Sequence, residues 1–262
     1  NNMKIKHLLC FIALCLFFTP GKAQQLSVMT LRNGATVYIW EDKSKPDVFG
    51  MIAFKVGSVD DPEQYTGLAH YLEHVMFKGT QTIDALDWEK EKPIYEKIIA
   101  KYDERAALSD PAAREAVDKE INDLTREAAQ YAAGNEFSLL VDHMGGQGLN
   151  ASTGYDQTEY HNSFPPSQLE KWLEIYSERL IDPVFRGFQT ELEAVYEEYN
   201  MYNDDRGSRM REFIYEQAFG DHPYARPIIG LPEHLKNPQL SKLIDFYNTW
   251  YGPQNMSIIL VG

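Results

Sequence analysis

The stretch Gly67-Leu68-Ala69-His70-Tyr71-Leu72-Glu73-His74-Val75-Met76-Phe77 decides how the rest of the chain is read. Leu68, Tyr71, Leu72 and Val75 recur at helical spacing and form one apolar face. On a helix, residues four apart are separated by about 40° around the axis, so His70 and His74 project toward one point. Glu73 lies on the same side. Two neutral imidazoles with one carboxylate leave zinc an open position, which is the pattern of a catalytic site. A Glu beside that position can serve as a general base. An H-x-x-E-H string arises by chance in a chain this long on the order of one or two times in a hundred. A surface helix carrying stray His and Glu is therefore the alternative until other segments agree.

Working outward, the apolar-rich runs 26–31 and 35–41 are separated by Arg32-Asn33-Gly34, a strong hairpin signal. A third strand is predicted over 48–56. On the far side of the motif, residues 87–136 read as a helical hairpin. Ile94, Tyr95, Ile98, Ile99 and Tyr102 form one stripe, Val117, Ile121, Leu124, Ala128 and Tyr131 another, and Ser109-Asp110-Pro111 makes the turn and helix start. Glycines cluster at Gly145, Gly146 and Gly148, ahead of strand-like 149–153 and 158–164. Pro165-Pro166-Ser167 starts a helix carrying Leu169, Trp172, Leu173 and Tyr176, and one longer helix is predicted over about 190–215. Residues 258–261 form a last strand, and ending within a strand pattern predicts truncation of the domain at Gly262.

The chain has 262 residues and a formal charge of −14. That balance argues against a nucleic-acid partner, because phosphate binding needs a basic surface. Near the N-terminus, Lys4 and Lys6 precede an apolar run from Leu8 to Phe18, and Gly21-Lys22-Ala23 offers small residues to a signal peptidase. The expectation is a signal peptide over 1–23, a mature domain over 24–262, and export to a periplasmic or secreted location. An uncleaved, membrane-associated leader is the alternative, disfavoured because the run is shorter than the roughly 20 residues that cross a bilayer. Leu14 before Cys15 is too large for a lipoprotein signal. Both cysteines, Cys10 and Cys15, lie in this leader, so any metal in the mature chain must use His and carboxylate.

Four further segments agree with the first motif. They are Gly145-Gly146-Gln147-Gly148-Leu149-Asn150-Ala151-Ser152-Thr153 followed by Asp156, Thr158 and Tyr160; Glu191 and Glu198, seven apart; Phe219-Gly220-Asp221-His222-Pro223-Tyr224 with Pro227, Ile229 and Gly230; and Trp250-Tyr251-Gly252-Pro253-Gln254-Asn255-Met256. With the inverted zinc motif, they resemble the pitrilysin/insulinase metalloendopeptidases, which include the mitochondrial processing peptidase. The resemblance covers the mature chain apart from the helical hairpin.

The resemblance implies an α+β fold, a mainly antiparallel sheet with helices packed on one face and the helical hairpin inserted. It implies one Zn2+ per domain held by His70, His74 and Glu198, with Glu73 as general base and Glu191 orienting a ligand histidine. Asn150 and Ala151 correspond to an edge strand whose backbone pairs with an extended or unfolded peptide substrate. Family members pair copies of this domain around a chamber, so a C-terminal homologous domain or a dimer partner is implied, the former supplying an Arg and a Tyr. A catalytically silent subunit is the rival reading; such members usually lose part of the motif, whereas His70, Glu73, His74 and Glu198 are all present. The hairpin pushes Glu198 further from His74 than is usual. Since the pattern resumes on both sides, the hairpin is expected to be dispensable for the metal site. Glu193 and Glu197 read as a solvated face, His222 as a structural turn residue, and His143, His161 and His234 have no assigned role.

Overall fold

A computed structural model describes residues 26–262. The leader lies outside the described residues. Strand β1 (Leu26–Thr30) pairs antiparallel with β2 (Thr36–Trp40), in register from Leu26 against Trp40 to Thr30 against Thr36. The turn between them is the one expected at Arg32-Asn33-Gly34: Leu31 N–H donates to Ala35 O (2.8 Å), and Asn33 Oδ1 accepts from Ala35 N (3.2 Å).

Strands β3 (Val48–Phe54), β4 (Gln147–Thr153), β5 (Thr158–Phe164) and β6 (Met256–Val261) complete one six-stranded sheet in the order β1-β2-β6-β3-β5-β4. Among the described residues only the β2–β6 pairing is parallel. The last strand is thus inserted at the middle of the sheet, antiparallel to β3 on its other side. At the far edge, β4 pairs antiparallel with β5, with an irregularity between Gln147 and Asn150.

Alternation along the strands decides which face the helices cover. Gly50, Ile52 and Phe54 of β3 and Thr158, Tyr160, Asn162 and Phe164 of β5 are buried, whereas Phe49, Met51 and His161 are half-buried. A side chain at Gly50 would put its Cβ 2.7 Å from both Phe164 Cε1 and Trp172 Cζ2, so glycine is what allows these rings to lie against the strand.

Nine α-helices occur among the described residues: α1 (Leu68–Val75), α2 (Trp88–Ala107), α3 (Pro111–Ala128), α4 (Glu136–His143), α5 (Leu169–Ile181), α6 (Phe188–Asp204), α7 (Arg206–Phe219), α8 (Pro232–Leu235) and α9 (Leu240–Trp250). None is long and apolar enough to cross a membrane. The helical hairpin is present as α2 and α3. Asp87 and Asp110 cap them by accepting from Lys90 N and Ala113 N, and Pro111 fills a first-turn position where a missing N–H costs nothing. Its helical part ends earlier than expected, in a short 3-10 turn at Ala129–Tyr131. Residue 136 instead begins the unforeseen α4, where Glu136 N donates to Asp84 Oδ1 (2.7 Å) and Asp84 N donates to Glu136 Oε2 (2.6 Å).

The helix expected over about 190–215 is two helices. The chain breaks at Asp205, whose backbone is extended (φ −80°, ψ 119°) and whose carboxylate accepts from Ser208 N at 2.7 Å. Asn and Asp compete with helical hydrogen bonds and favour caps, and Asn203-Asp204-Asp205 supplies three in a row.

Candidate metal centre

Helix α1 is fixed at both ends before any ligand is considered. Gly67 precedes it in the left-handed region (φ 89°), and a Cβ there would meet Ile229 O at 2.6 Å. The buried Asp61 carboxylate accepts from Gly67 N (2.7 Å) and Ala69 N (2.9 Å), satisfying donors that the first turn leaves unpaired. Burial pushes Asp61 up to about 7, against the pull of those two donors and of Arg226. His234, unassigned from sequence, accepts from Thr66 N through Nδ1 at 3.1 Å.

At the other end, Arg179 of α5 donates from Nε to Met76 O (2.9 Å), placing a cation at the negative end of the helix. Its guanidinium is fully buried and lies 4.3, 4.5 and 4.3 Å from the ring centres of Phe77, Phe137 and Tyr160. Tyr71 ties α1 to the start of α6 by donating its hydroxyl to Phe188 O.

This framework holds His70 and His74 edge to face, with ring centres 4.9 Å apart. Glu198 arrives from α6: its Oε2 lies 3.6 Å from His70 Nε2 and 3.5 Å from His74 Nε2. The three donor atoms all lie within 4.8 Å of one another. Burial, and then the neighbouring His74, push His70 down to about 3, leaving a neutral imidazole with a lone pair to give. Two imidazole nitrogens and one carboxylate oxygen converging beside an open cleft fit a tetrahedral zinc with one free position.

Glu191, two turns before Glu198, lies on the far side of His74, with Oε2 3.6 Å from His74 Nδ1 and Oε1 2.5 Å from Lys78 Nζ. Burial acts to raise Glu191, but the close approach of His74 and Lys78 outweighs it and holds its carboxyl below the usual value. Burial likewise acts to lower His74, while Glu191, Glu73 and Glu198 prevail and raise it.

Glu73 faces the edge strand. Its Oε2 accepts from Thr153 Oγ1 at 2.6 Å, and burial raises its carboxyl against that hydrogen bond and the nearby His74. A cleft of ≈ 490 Å³ opens over this group, lined by His70, Glu73, Glu198 and the end of β4 from Ala151 to Thr153. Tyr202, Arg211 and Glu212 also line it.

Of the two edge-strand residues, Ala151 lines the cleft, whereas Asn150 is exposed and is not among the lining residues. Asn150 pairs with His161 and Ala151 with Tyr160, so alternation turns the two side chains to opposite faces of the sheet. Glu193 and Glu197 border a separate groove beside Arg105 and Lys236. His222 Nδ1 accepts from Tyr224 N (3.2 Å), the turn role expected of it.

Thr153, Tyr202, Lys78, Arg179 and Asp61 were missed from sequence. Tyr202 follows Glu198 by four on one helix, a spacing that could have found it; Thr153 lay inside a matched segment. The other three act across the fold.

The pattern of the family described as insulinase (peptidase family M16) matches residues 36–92 and 122–231, leaving out most of α2 and the first part of α3 up to Ile121. The zinc protease PqqE of Helicobacter pylori is 25% identical over 238 residues, which cover 89% of this chain and 42% of that protein. The probable zinc protease PqqL of Escherichia coli is 24% identical over 251 residues, 91% of this chain and 21% of the relative. Zinc is thus the metal for which these relatives are named. The chain spans less than half the length of either relative. Among solved structures, the first half of the periplasmic protease PqqL of Escherichia coli superposes with a TM-score of 0.66 at 24% identity, covering 91% of this chain and 43% of that one. Pitrilysin gives 0.64 at 21% identity over 92% of this chain and 21% of its own, so the fold is shared. With the family pattern spanning the motif helix, the edge strand and the helix of Glu198, the chain belongs to the insulinase family, peptidase family M16.

Proposed function

We propose that the chain is the metal-binding N-terminal domain of an exported zinc endopeptidase that hydrolyses peptide bonds in extended or unfolded peptides. The observation that carries this reading is the hydrogen bond between Glu73 and Thr153, which joins a candidate base beside three convergent ligand atoms to the last residue of an edge strand. His70, His74 and Glu198 would hold one zinc ion, which when bound supplies a Lewis acid that polarises the scissile carbonyl and acidifies water.

The chain's own residues do the rest. A substrate backbone adds to the free edge of β4, because unpaired N–H and C=O groups there read peptide rather than sequence. Of the two edge residues expected to bind substrate, Ala151 lies at the cleft, and Asn150 contributes through its backbone. Glu73 accepts a proton at a carboxylate oxygen from the attacking water and delivers one to the departing amide nitrogen. Burial raises its affinity for that proton, and the Thr153 hydroxyl fixes which oxygen is engaged. Glu191 orients His74.

The relatives' greater length supports a C-terminal homologous domain as partner. Export is supported by the basic and apolar leader and by the periplasmic relative. The test is degradation of an unfolded peptide by the full-length protein with and without a chelator, together with the metal content of His70→Ala. Cleavage should stop with chelator, and the variant should purify without zinc. Chelator-resistant cleavage would overturn the metal-dependent reading.

A further inference from the structure

We propose that Lys78 is a positioning residue for the metal centre, its ammonium fixing the Glu191 carboxylate that in turn holds His74. This rests on the reading of His70, His74 and Glu198 as ligands.

The two histidines are supported unequally. His70 is buried, and among the described residues no hydrogen-bond partner faces its Nδ1, so no carboxylate orients its ring from that side. His74 is more exposed, and its Nδ1 faces Glu191. Metal-ligating histidines generally donate their second ring N–H to a carboxylate, which sets tautomer and ring direction. That carboxylate is useful only if it is itself held. Lys78 Nζ lies 2.5 Å from Glu191 Oε1, leaving Oε2 for His74. Lys78 follows His74 by four residues, just past the end of α1, so it reaches the same side of the helix.

The backbone of Lys78 is anchored in turn. Arg186 donates from Nη1 to Lys78 O at 3.2 Å, and Arg186 forms a two-pronged pair with the buried Glu91 of α2 at 2.6 and 2.8 Å. A continuous line of contacts therefore runs from the hairpin through Glu91, Arg186, Lys78 and Glu191 to His74.

A cation near a bound dication should by simple repulsion weaken metal binding. Positioning acts in the opposite direction, so the two roles differ in sign. The experiment is a zinc competition titration with a chromophoric chelator on the full-length protein, in wild type, Lys78→Met, Lys78→Arg, Glu191→Gln and the double variant Lys78→Met/Glu191→Gln, each checked for folding by thermal melting. Lys78→Met should bind zinc roughly tenfold more weakly, and Lys78→Arg should recover most of that loss. In the Glu191→Gln background, Lys78→Met should cause no further loss. Equal or tighter zinc binding by a folded Lys78→Met protein, or the same loss with Glu191 already replaced, would overturn the proposal. Absence of zinc from the wild type would instead remove the ligand reading beneath it, a result that the His70→Ala comparison identifies separately.

Discussion

Helix α1 and the hairpin of α2 and α3 both contribute buried residues to one core, yet they differ in almost every other respect. The helix is eight residues long, lies within the family pattern and carries three of the groups assigned to chemistry. The hairpin is far longer, falls largely outside that pattern and carries none. From sequence it reads as a removable surface insertion. The structure places Ile94, Ile98, Tyr102, Val117 and Ile121 in the same buried cluster as Leu72 and Val75. Tyr102 packs edge-on against Phe188 (4.7 Å) at the start of α6, the helix that brings Glu198, and donates its hydroxyl to Gln189 (3.2 Å). A segment that carries none of the proposed site residues thus packs against the helix that carries one of them. These contacts stand against the expectation that the hairpin is dispensable for the metal site, and deletion of the hairpin decides between the two.

The comparison breaks most sharply at Glu73. Glu73→Gln removes the proposed base and none of the proposed ligands, so peptide turnover should fall by about 10²–10⁴ while zinc content stays at the wild-type level. Normal turnover in a zinc-loaded variant would deprive the helix of its chemistry.

On the other side, Tyr102→Ala should cost about 3–5 kcal/mol of stability, because it empties a buried site facing Phe188. Replacing residues 93–121 by a flexible linker should lower the melting temperature further and release zinc. A folded, zinc-binding deletion protein would restore the view of the hairpin as an appendage.

A smaller effect belongs to the start of α1. Asp61 has a folded pKa of about 7 against an ordinary value of 3.8, so the folded protein binds its proton more tightly than the unfolded chain does. The contribution is complete below pH 3.8 and is lost as pH rises toward 7, amounting to at most about 4 kcal/mol. Denaturant titrations of metal-free protein at pH 5 and pH 8 should show this decline, and Asp61→Asn should flatten it. A slope unchanged by the substitution would place its origin elsewhere.

The least effect is expected at the edge strand. Ala151→Pro removes one backbone donor from β4 and puts a ring at the docking edge, so affinity for varied unfolded peptides should drop roughly fivefold with zinc retained. Unchanged affinity would mean that the peptide docks away from β4.

What could be read from sequence follows the range of the interactions. The motif helix, the turn at Asn33-Gly34 and the capped hairpin are written in neighbouring residues, and all three are present. Glu198 was placed by resemblance, since nothing local distinguishes it from Glu197. The break at Asp205 is legible in its Asn-Asp run, although the apolar spacing that predicts one helix continues across it. Helix α9, with Leu240, Leu243 and Phe246 buried, was likewise visible in its pattern. Lys78, Arg179 and Asp61 were not legible, because their partners come from other elements and no spacing rule links Lys78 to Glu191 or Arg179 to Met76.

The central position of β6 has a consequence for how the molecule comes together. Strands β1 and β2 form one ribbon, β3, β5 and β4 another, and among the described strands Met256–Val261 joins them. Thr36 must wait for Ser257, a partner more than two hundred residues later in the chain. Contacts of such long range are slow to form, because the entropy of closing the loop is lost before any pairing is gained. A chain emerging from a ribosome therefore carries two unjoined ribbons until β6 is free, and the sheet closes as a late event rather than growing from one end.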